Sequence, residues 1–194
     1  MIRFEDVSLK FGKNSVIDHL SHEFEEGKVT AILGESGVGK TTLLNLIAGL
    51  QKASDGKVFT DNRRLSYIFQ EARLFPWLTS LENVATVSDE ATAKKMLSLM
   101  GLSDSINKYP AELSGGMKQR VSIARALAYN PDVILMDEPF ASLDKERRGA
   151  VADILFDMIK GKTAIIVTHD IEDTKYANTV LTLTPSPNSM LKKS

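Results

Sequence analysis

An α/β fold with a mainly parallel sheet is what this sequence predicts, and three observations carry the prediction. Residues Gly34 to Thr42 read GESGVGKTT, a match to the phosphate-binding loop pattern G-x-x-x-x-G-K-[ST]. Val29 to Leu33 (VTAIL) is a short apolar run before that loop, and Leu43 to Leu50 follows it with helical character. Val133 to Met136 (VILM) and Ala164 to Val167 (AIIV) are continuous apolar runs, the pattern of central parallel strands buried on both faces. A bare loop pattern also arises by chance in Gly-rich stretches. A strand before it and an apolar helix after it make chance the weaker reading.

Taken in order, the opening segment from Ile2 to Phe11 is short and loosely alternating, and a turn follows at Gly12-Lys13-Asn14. A second strand is expected from about Ser15 to Phe24, closed by Glu26-Gly27. Together they read as an antiparallel β-layer. Its one candidate for chemistry is Phe11, an aromatic that either stacks on an adenine ring or packs in the core.

The loop itself is legible in chemical terms. Gly34, Gly37 and Gly39 let the backbone turn tightly, and with Glu35, Ser36, Val38 and Thr42 they aim successive N–H groups at phosphate oxygens. The helix after them offers its positive N-terminus to the same anion. Lys40 is expected to reach the β- and γ-phosphates and the Thr41 hydroxyl to hold Mg²⁺. The chain binds a nucleoside triphosphate on this reading.

Beyond the loop, Asp55-Gly56-Lys57 marks a turn, and Arg64 to Gln70 (RLSYIFQ) reads as a strand ending in a polar residue. Ala91 to Met100 and Ser103 to Lys108 are helical in character and are expected to form a small inserted helical subdomain at about 71–117. The VILM run ends in Asp137-Glu138, and the AIIV run ends in Thr168-His169-Asp170. Ligands of open α/β sheets sit at the carboxyl ends of strands. Three strand ends, after Leu33, Met136 and Thr168, therefore aim polar groups at one place.

Composition narrows the classes. With 194 residues the chain suits one domain, expected over 1–184, with a loose polar tail over 185–194. A formal net charge of −1 argues against nucleic acid as a partner, which needs a basic footprint. The absence of cysteine excludes disulfides, thiolate metal sites and cysteine nucleophiles. No apolar run approaches the ~20 residues of a membrane span, and the opening MIRFEDVSLK lacks the apolar region of a signal peptide. A soluble, cytoplasmic chain is expected.

Two further stretches complete the constellation. Asp137 and Glu138 after an apolar strand resemble a Walker B pair, the first holding Mg²⁺ and the second acting on the attacking water. Two acids after a strand also serve as helix caps or stand as solvated residues, so the pair gains its weight from the loop upstream. Leu113 to Arg120 reads LSGGMKQR. Ser114 is a natural N-cap, and Gly115 and Gly116 allow close approach of backbone to an anion. Met117, Val121, Ala124 and Leu127 follow at helical spacing. An ordinary capped helix explains the serine and one glycine, but not the whole octet.

Over nearly its full length the chain resembles the nucleotide-binding subunit of ABC transporters. The phosphate loop, Gln70, LSGGMKQR, VILMDEP, Ser142-Leu143-Asp144 and His169 stand in that family's order. The resemblance implies ATP as the ligand and a P-loop NTPase core. It implies adenine stacking by Phe11, and contact of Gln70 with Mg²⁺, the attacking water and the membrane partner. It further implies that Ser114, Gly115 and Gly116 bind the γ-phosphate held by a second subunit, with Asp144 at the dimer interface and His169 on the γ-phosphate. From the residues alone, His169 is equally a core residue. Glu138, His169 and Gln70 are thus the candidate catalytic residues, and Thr41, Gln70 and Asp137 the candidate metal ligands.

The implied assembly is a homodimer across two ATP molecules, peripheral on the inner face of the membrane. It would work with an integral membrane permease and an extracytoplasmic solute-binding protein. The stretch FQEARLFPWLTSLENV is similar to ATPases of importers for nitrate, sulfonates, taurine and thiamine precursors. Leu74-Phe75-Pro76-Trp77-Leu78 holds the only tryptophan. A permease element is expected to dock near Phe75 and Trp77, the alternative being a loop packed on its own domain. The chain departs from the family in two ways. The Lys40–Gln70 and Gln70–Ser114 intervals are short, and no regulatory domain is expected after His169. A soluble ATPase of the same family, acting on a non-transport machine, would carry paired cassettes or basic arms. A P-loop kinase would not need LSGGMKQR.

Overall fold

Apolar runs of four residues are too short for a core helix and form strands instead: in the computed structural model every residue of Val133–Asp137 and Thr163–Val167 is buried. The structure describes all residues but 13, 62, 63, 188 and 194. Lys13 of the expected turn, and Asn188 and Ser194 of the expected tail, lie outside the described residues. The chain runs β1 (Ile2–Phe11), β2 (Asn14–Phe24), β3 (Val29–Leu33), α1 (Lys40–Ile47), β4 (Asp55–Thr60), β5 (Leu65–Ile68), α2 (Ser80–Ala85) and α3 (Glu90–Leu99). It continues through α4 (Gly115–Ala128), β6 (Val133–Asp137), α5 (Lys145–Met158), β7 (Thr163–Val167), β8 (Thr179–Leu183) and β9 (Leu191–Lys193). Two compact units result: residues 1–65, 132–138 and 161–194 form the first, and residues 66–131 and 139–160 the second.

The first unit holds the antiparallel layer and strands β3, β6, β7, β8 and β9 of the larger sheet. Strands β6, β7, β3 and β8 run parallel in that spatial order, and β9 closes the edge antiparallel to β8. Register sets Ile32 beside Val167 and Val167 beside Asp137, so β3, β7 and β6 end level. Helix α1 buries Leu43, Leu44, Leu46 and Ile47, each worth about 1.5–3 kcal/mol of transfer free energy.

The second sheet has the order β2-β1-β4, all antiparallel. Its bulges follow from the sequence. Ile2 and Phe4 point inward, but the next apolar residues in β1 are Val7 and Leu9, a spacing that strict alternation cannot bury. One extra residue restores the phase: Asp6 takes φ 51° and stays exposed. In β2 the jump from Ile17 to Leu20 is met the same way, with His19 at φ 51°.

The tail corrects one expectation. In place of a loose end, Leu191–Lys193 pairs with β8, Thr184 N donates to Met190 O at 2.9 Å, and Asp18 N donates to the buried Ser189 Oγ at 3.1 Å. A polar composition did not prevent order, because the edge of β8 offers unpaired backbone groups.

The second unit contains α2 to α5 with the loops between them. The helical segment expected at about 71–117 lies inside it, and the unit is wider. Helix α2 starts on a capping box, with Thr79 accepting from Glu82 N and Glu82 accepting from Thr79 N. Helix α4 is buried at Val121, Ile123, Ala124, Ala126 and Leu127. Arg120, also buried, donates to Met100 O at 2.7 Å and Gly101 O at 3.2 Å, satisfying carbonyls that the end of α3 leaves free. The expected helix from Ser103 to Lys108 is only a 3-10 turn over Ser103–Ser105, and the strand expected to reach Gln70 stops at Ile68. Helix α1 likewise stops at Ile47, short of the expected Leu50.

Candidate functional site

The level ends of β3, β6 and β7 carry the chemistry of the first unit. After Leu33 the chain turns through the glycine-rich loop into α1. Gly39 takes φ 108°, and a Cβ there would stand 3.0 Å from Val16 Cγ1 and 3.4 Å from Val16 O. Only glycine fits a left-handed backbone pressed against β2. Lys40 is 7% exposed, and its Nζ donates to Gly34 O at 2.7 Å and Glu35 O at 2.9 Å. The ammonium thus sits within the loop, bonded to two of its own carbonyls.

Thr41 Oγ1 donates to Asp137 Oδ2 at 2.8 Å. Asp137 is 5% exposed as the last residue of β6. Glu138 follows at φ 44°, with its N–H donated to Val167 O at 2.9 Å. A left-handed non-glycine residue costs on the order of 1–3 kcal/mol. Here it turns the glutamate side chain out of the strand, where its Oε2 lies 3.0 Å from His169 Nδ1. The helix-cap alternative for the two acids fails, since Asp144 caps α5. The core alternative for His169 fails as well, its side chain being 67% exposed. Phe11 is 54% exposed at the end of β1, so it is no core phenylalanine either.

The other predicted residues belong to the second unit. Ser114 caps α4, its Oγ accepting from Met117 N at 3.3 Å. A Cβ on Gly116 would stand 3.0 Å from Ser142 O, so a side chain there would push that carbonyl back by a few tenths of an ångström. Asp144 caps α5 by accepting from Arg147 N at 2.9 Å. Ser114, Gly116, Arg120, Asp144 and Arg147 line one open pocket of about 400 Å³. Gln70 is exposed just after β5, and the carbonyl of its neighbour Phe69 accepts from buried Gln119 Nε2 at 3.1 Å.

The Phe75–Trp77 segment is exposed yet held in place. Trp77 is 69% and Phe75 40% exposed, with ring centroids 5.6 Å apart. Asn83, fully buried, accepts from Phe75 N and donates to the carbonyls of Phe75, Leu78 and Thr79. Arg125 NH2 donates to Arg73 O at 2.9 Å. Sequence reading missed this support, as it missed Thr168 and Asp173 beside His169. The T-S-L-E capping box was the one local signal for the first. Nothing local announces a buried carboxylate.

The family model described as ABC transporter matches residues 17–141. The aliphatic sulfonates import ATP-binding protein SsuB of Bacillus subtilis (strain 168) is 41% identical over 186 residues, covering 88% of this chain and 73% of that protein. The protein of the same description from Yersinia pestis bv. Antiqua (strain Antiqua) is 39% identical, covering 89% and 68%. Among solved structures, a dimeric ATP-binding cassette in a post-hydrolysis state, bound to ADP and Pi, superposes with a TM-score of 0.90 at 30% identity, covering 100% of this chain and 98% of that one. The fold and the loop at its strand ends define a nucleoside-triphosphate-binding cassette. The chain belongs to the ABC transporter family. It is an ATP-binding, ATP-hydrolysing subunit of such a transporter.

Proposed function

We propose that this ATPase powers a separate membrane permease in the import of a small organic anion of the aliphatic-sulfonate class. The relatives' description supports the solute class. The observation that carries the mechanism is the bonded group Thr41–Asp137 and Glu138–His169 at level strand ends.

In this reading Gly34 to Thr42 cradle the phosphates, and Lys40 exchanges its two carbonyl partners for phosphate oxygens. The donor set fits Mg²⁺: the Thr41 hydroxyl and the Asp137 carboxylate are hard oxygens already 2.8 Å apart, and Gln70 would be the further ligand that the family resemblance implies. When bound, the ion neutralises charge on the transferred phosphoryl group. Glu138 takes a proton from the attacking water as the bond between the γ-phosphorus and the leaving oxygen breaks. His169 orients Glu138 and holds the γ-phosphate. Phe11 stacks on the adenine.

Two copies would close head to tail, placing Ser114, Gly115 and Gly116 of each over the partner's γ-phosphate, with Asp144 at the interface. Two phosphate-binding devices in one subunit are redundant, but between two subunits they are complementary. The permease docks near Phe75 and Trp77, because large aromatics held in exposed loops are enriched at binding surfaces. A solute-binding protein outside the cell completes the system, and the subunit itself lies on the inner face of the membrane.

The test is uptake. Cells lacking this gene should lose uptake of a labelled alkanesulfonate, and wild type but not Lys40→Ala should restore it. Undiminished sulfonate uptake in the deletion strain would remove the solute class while leaving the ATPase untouched.

A further inference from the structure

His169 is two-thirds exposed, so packing alone does little to hold its imidazole ring against Glu138. Its neighbours in the chain are different. Thr168 is 2% exposed and Asp173 is 5% exposed. Thr168 N donates to Ile32 O at 3.2 Å, which ties the loop to β3. Thr168 Oγ1 donates to Asp173 Oδ2 at 2.8 Å and accepts from Asp170 N at 3.0 Å. Asp173 N donates back to Asp170 O at 3.2 Å, and Glu172 N donates to Asp170 Oδ1 at 3.0 Å. One hydroxyl therefore joins the residue before His169 to the residue after it. A buried carboxylate orients that hydroxyl.

We infer that Thr168 and Asp173 are positioning residues for His169, fixing the loop so that Nδ1 stays within 3.0 Å of Glu138 Oε2. The inference rests on the role proposed for His169. The chemistry is specific. A contact with a carboxylate requires Nδ1 to be the donor, which fixes the neutral ring as the Nδ1–H tautomer with Nε2 an acceptor; donation to a phosphate oxygen as well would need the second N–H of the imidazolium. The clamp acts on the backbone at 168 and 170, and the ring at 169 is set between those two points. A charged acceptor makes the Thr168 bond stronger than a neutral one would. Burial shields it from competing water. An active-site group that shifts by ~1 Å loses about 10²-fold in rate, so holding one loop residue has a measurable consequence.

Nitrogen-15 NMR of the imidazoles reads this directly, because the chain has only three histidines. In Thr168→Val the His169 signals should change from a fixed Nδ1–H tautomer to exchanging tautomers, while those of His19 and His22 stay in place. ATP turnover should fall by about tenfold or more with ATP affinity kept within about twofold. Thr168→Ser should restore both the signals and turnover. Native His169 signals in folded Thr168→Val, or a Thr168→Ser variant as slow as Thr168→Val, would overturn the inference.

If Thr168→Val loses the His19 and His22 signals too, it has unfolded, and Asp173→Asn becomes the test. Its amide oxygen still accepts from Thr168 but without charge, so His169 should shift part of the way and turnover should drop severalfold. Wild-type signals and turnover in Asp173→Asn would then be fatal. His169→Ala separates the two ideas: wild-type hydrolysis there would defeat the role proposed for His169, while the NMR result would still decide whether the clamp sets its ring.

Discussion

The two units present their polar groups in opposite ways. In the first, Lys40 and Asp137 are buried, and Thr41 and Glu138 bond across to residues far away in sequence. In the second, Ser114 and Asp144 are exposed, and their caps bond three residues along, to Met117 N and Arg147 N. The first arrangement is assembled by the register of parallel strands, so each member depends on the others. The second is local helix chemistry, complete in each turn by itself. Burial and long-range bonding organise a group for reaction. Exposed caps leave a surface ready to receive something from outside.

The sharpest test of that contrast is Glu138→Gln. A positioned general base contributes about 10²–10⁴-fold, so ATP turnover should fall by that factor while ATP binding persists. Glutamine keeps the side-chain shape, and the left-handed backbone at φ 44° is common to both forms, so the melting temperature should stay nearly constant. Wild-type hydrolysis by this variant would mean that the first unit's bonded group is structural only.

Ser114→Arg probes the other side. The N-cap is worth ~1 kcal/mol, so the loss should cost little folding stability. The bulk and charge, placed in the pocket with Arg120 and Arg147, should block closure of two copies. In size-exclusion chromatography with ATP, Glu138→Gln should elute as a dimer, and adding Ser114→Arg should return it to monomer. A trapped protein that stays monomeric at high concentration, with or without the change, would remove the head-to-tail arrangement.

The smallest effect is expected at an exposed pair in the first unit, which separates exposure from unit membership. His19 Nδ1 lies 2.8 Å from Asp6 Oδ1, with side chains 65% and 69% exposed. The hydrogen bond to Asp6, followed by the charges of Asp6, Asp18 and Asp55, raises the His19 pKa above its ordinary value. A raised folded-state pKa stabilises fully below the unfolded value of ~6.5 and is lost as pH rises through the folded one. Wild type should therefore lose a small increment of melting temperature relative to His19→Ala across that rise, small because solvent screens the exposed pair. A shift of many degrees would show that the paired bulges matter far more than their exposure suggests.

Several features were legible because short-range rules dictate them. The glycine-rich loop, the N-cap at Ser114 and the buried runs VILM and AIIV follow from spacing and residue type within a few positions. So does the need for an antiparallel layer at the start of the chain. What spacing could not supply was register. Nothing within Val133–Asp137 or Thr163–Val167 states that Asp137 stands beside Val167, nor that Thr41 meets Asp137 across 96 positions of chain. Those facts depend on which strands pair and how far each slides, a choice made by the whole hydrophobic core. The same holds for the tail, whose Leu191–Lys193 became a strand because β8 had a free edge, and for Asp173. A buried carboxylate looks like any surface aspartate until the fold removes its water. Local sequence determined which groups this protein has for handling a triphosphate. Tertiary structure decided which of them meet, because hydrogen bonds between distant residues form only after burial has fixed the strands.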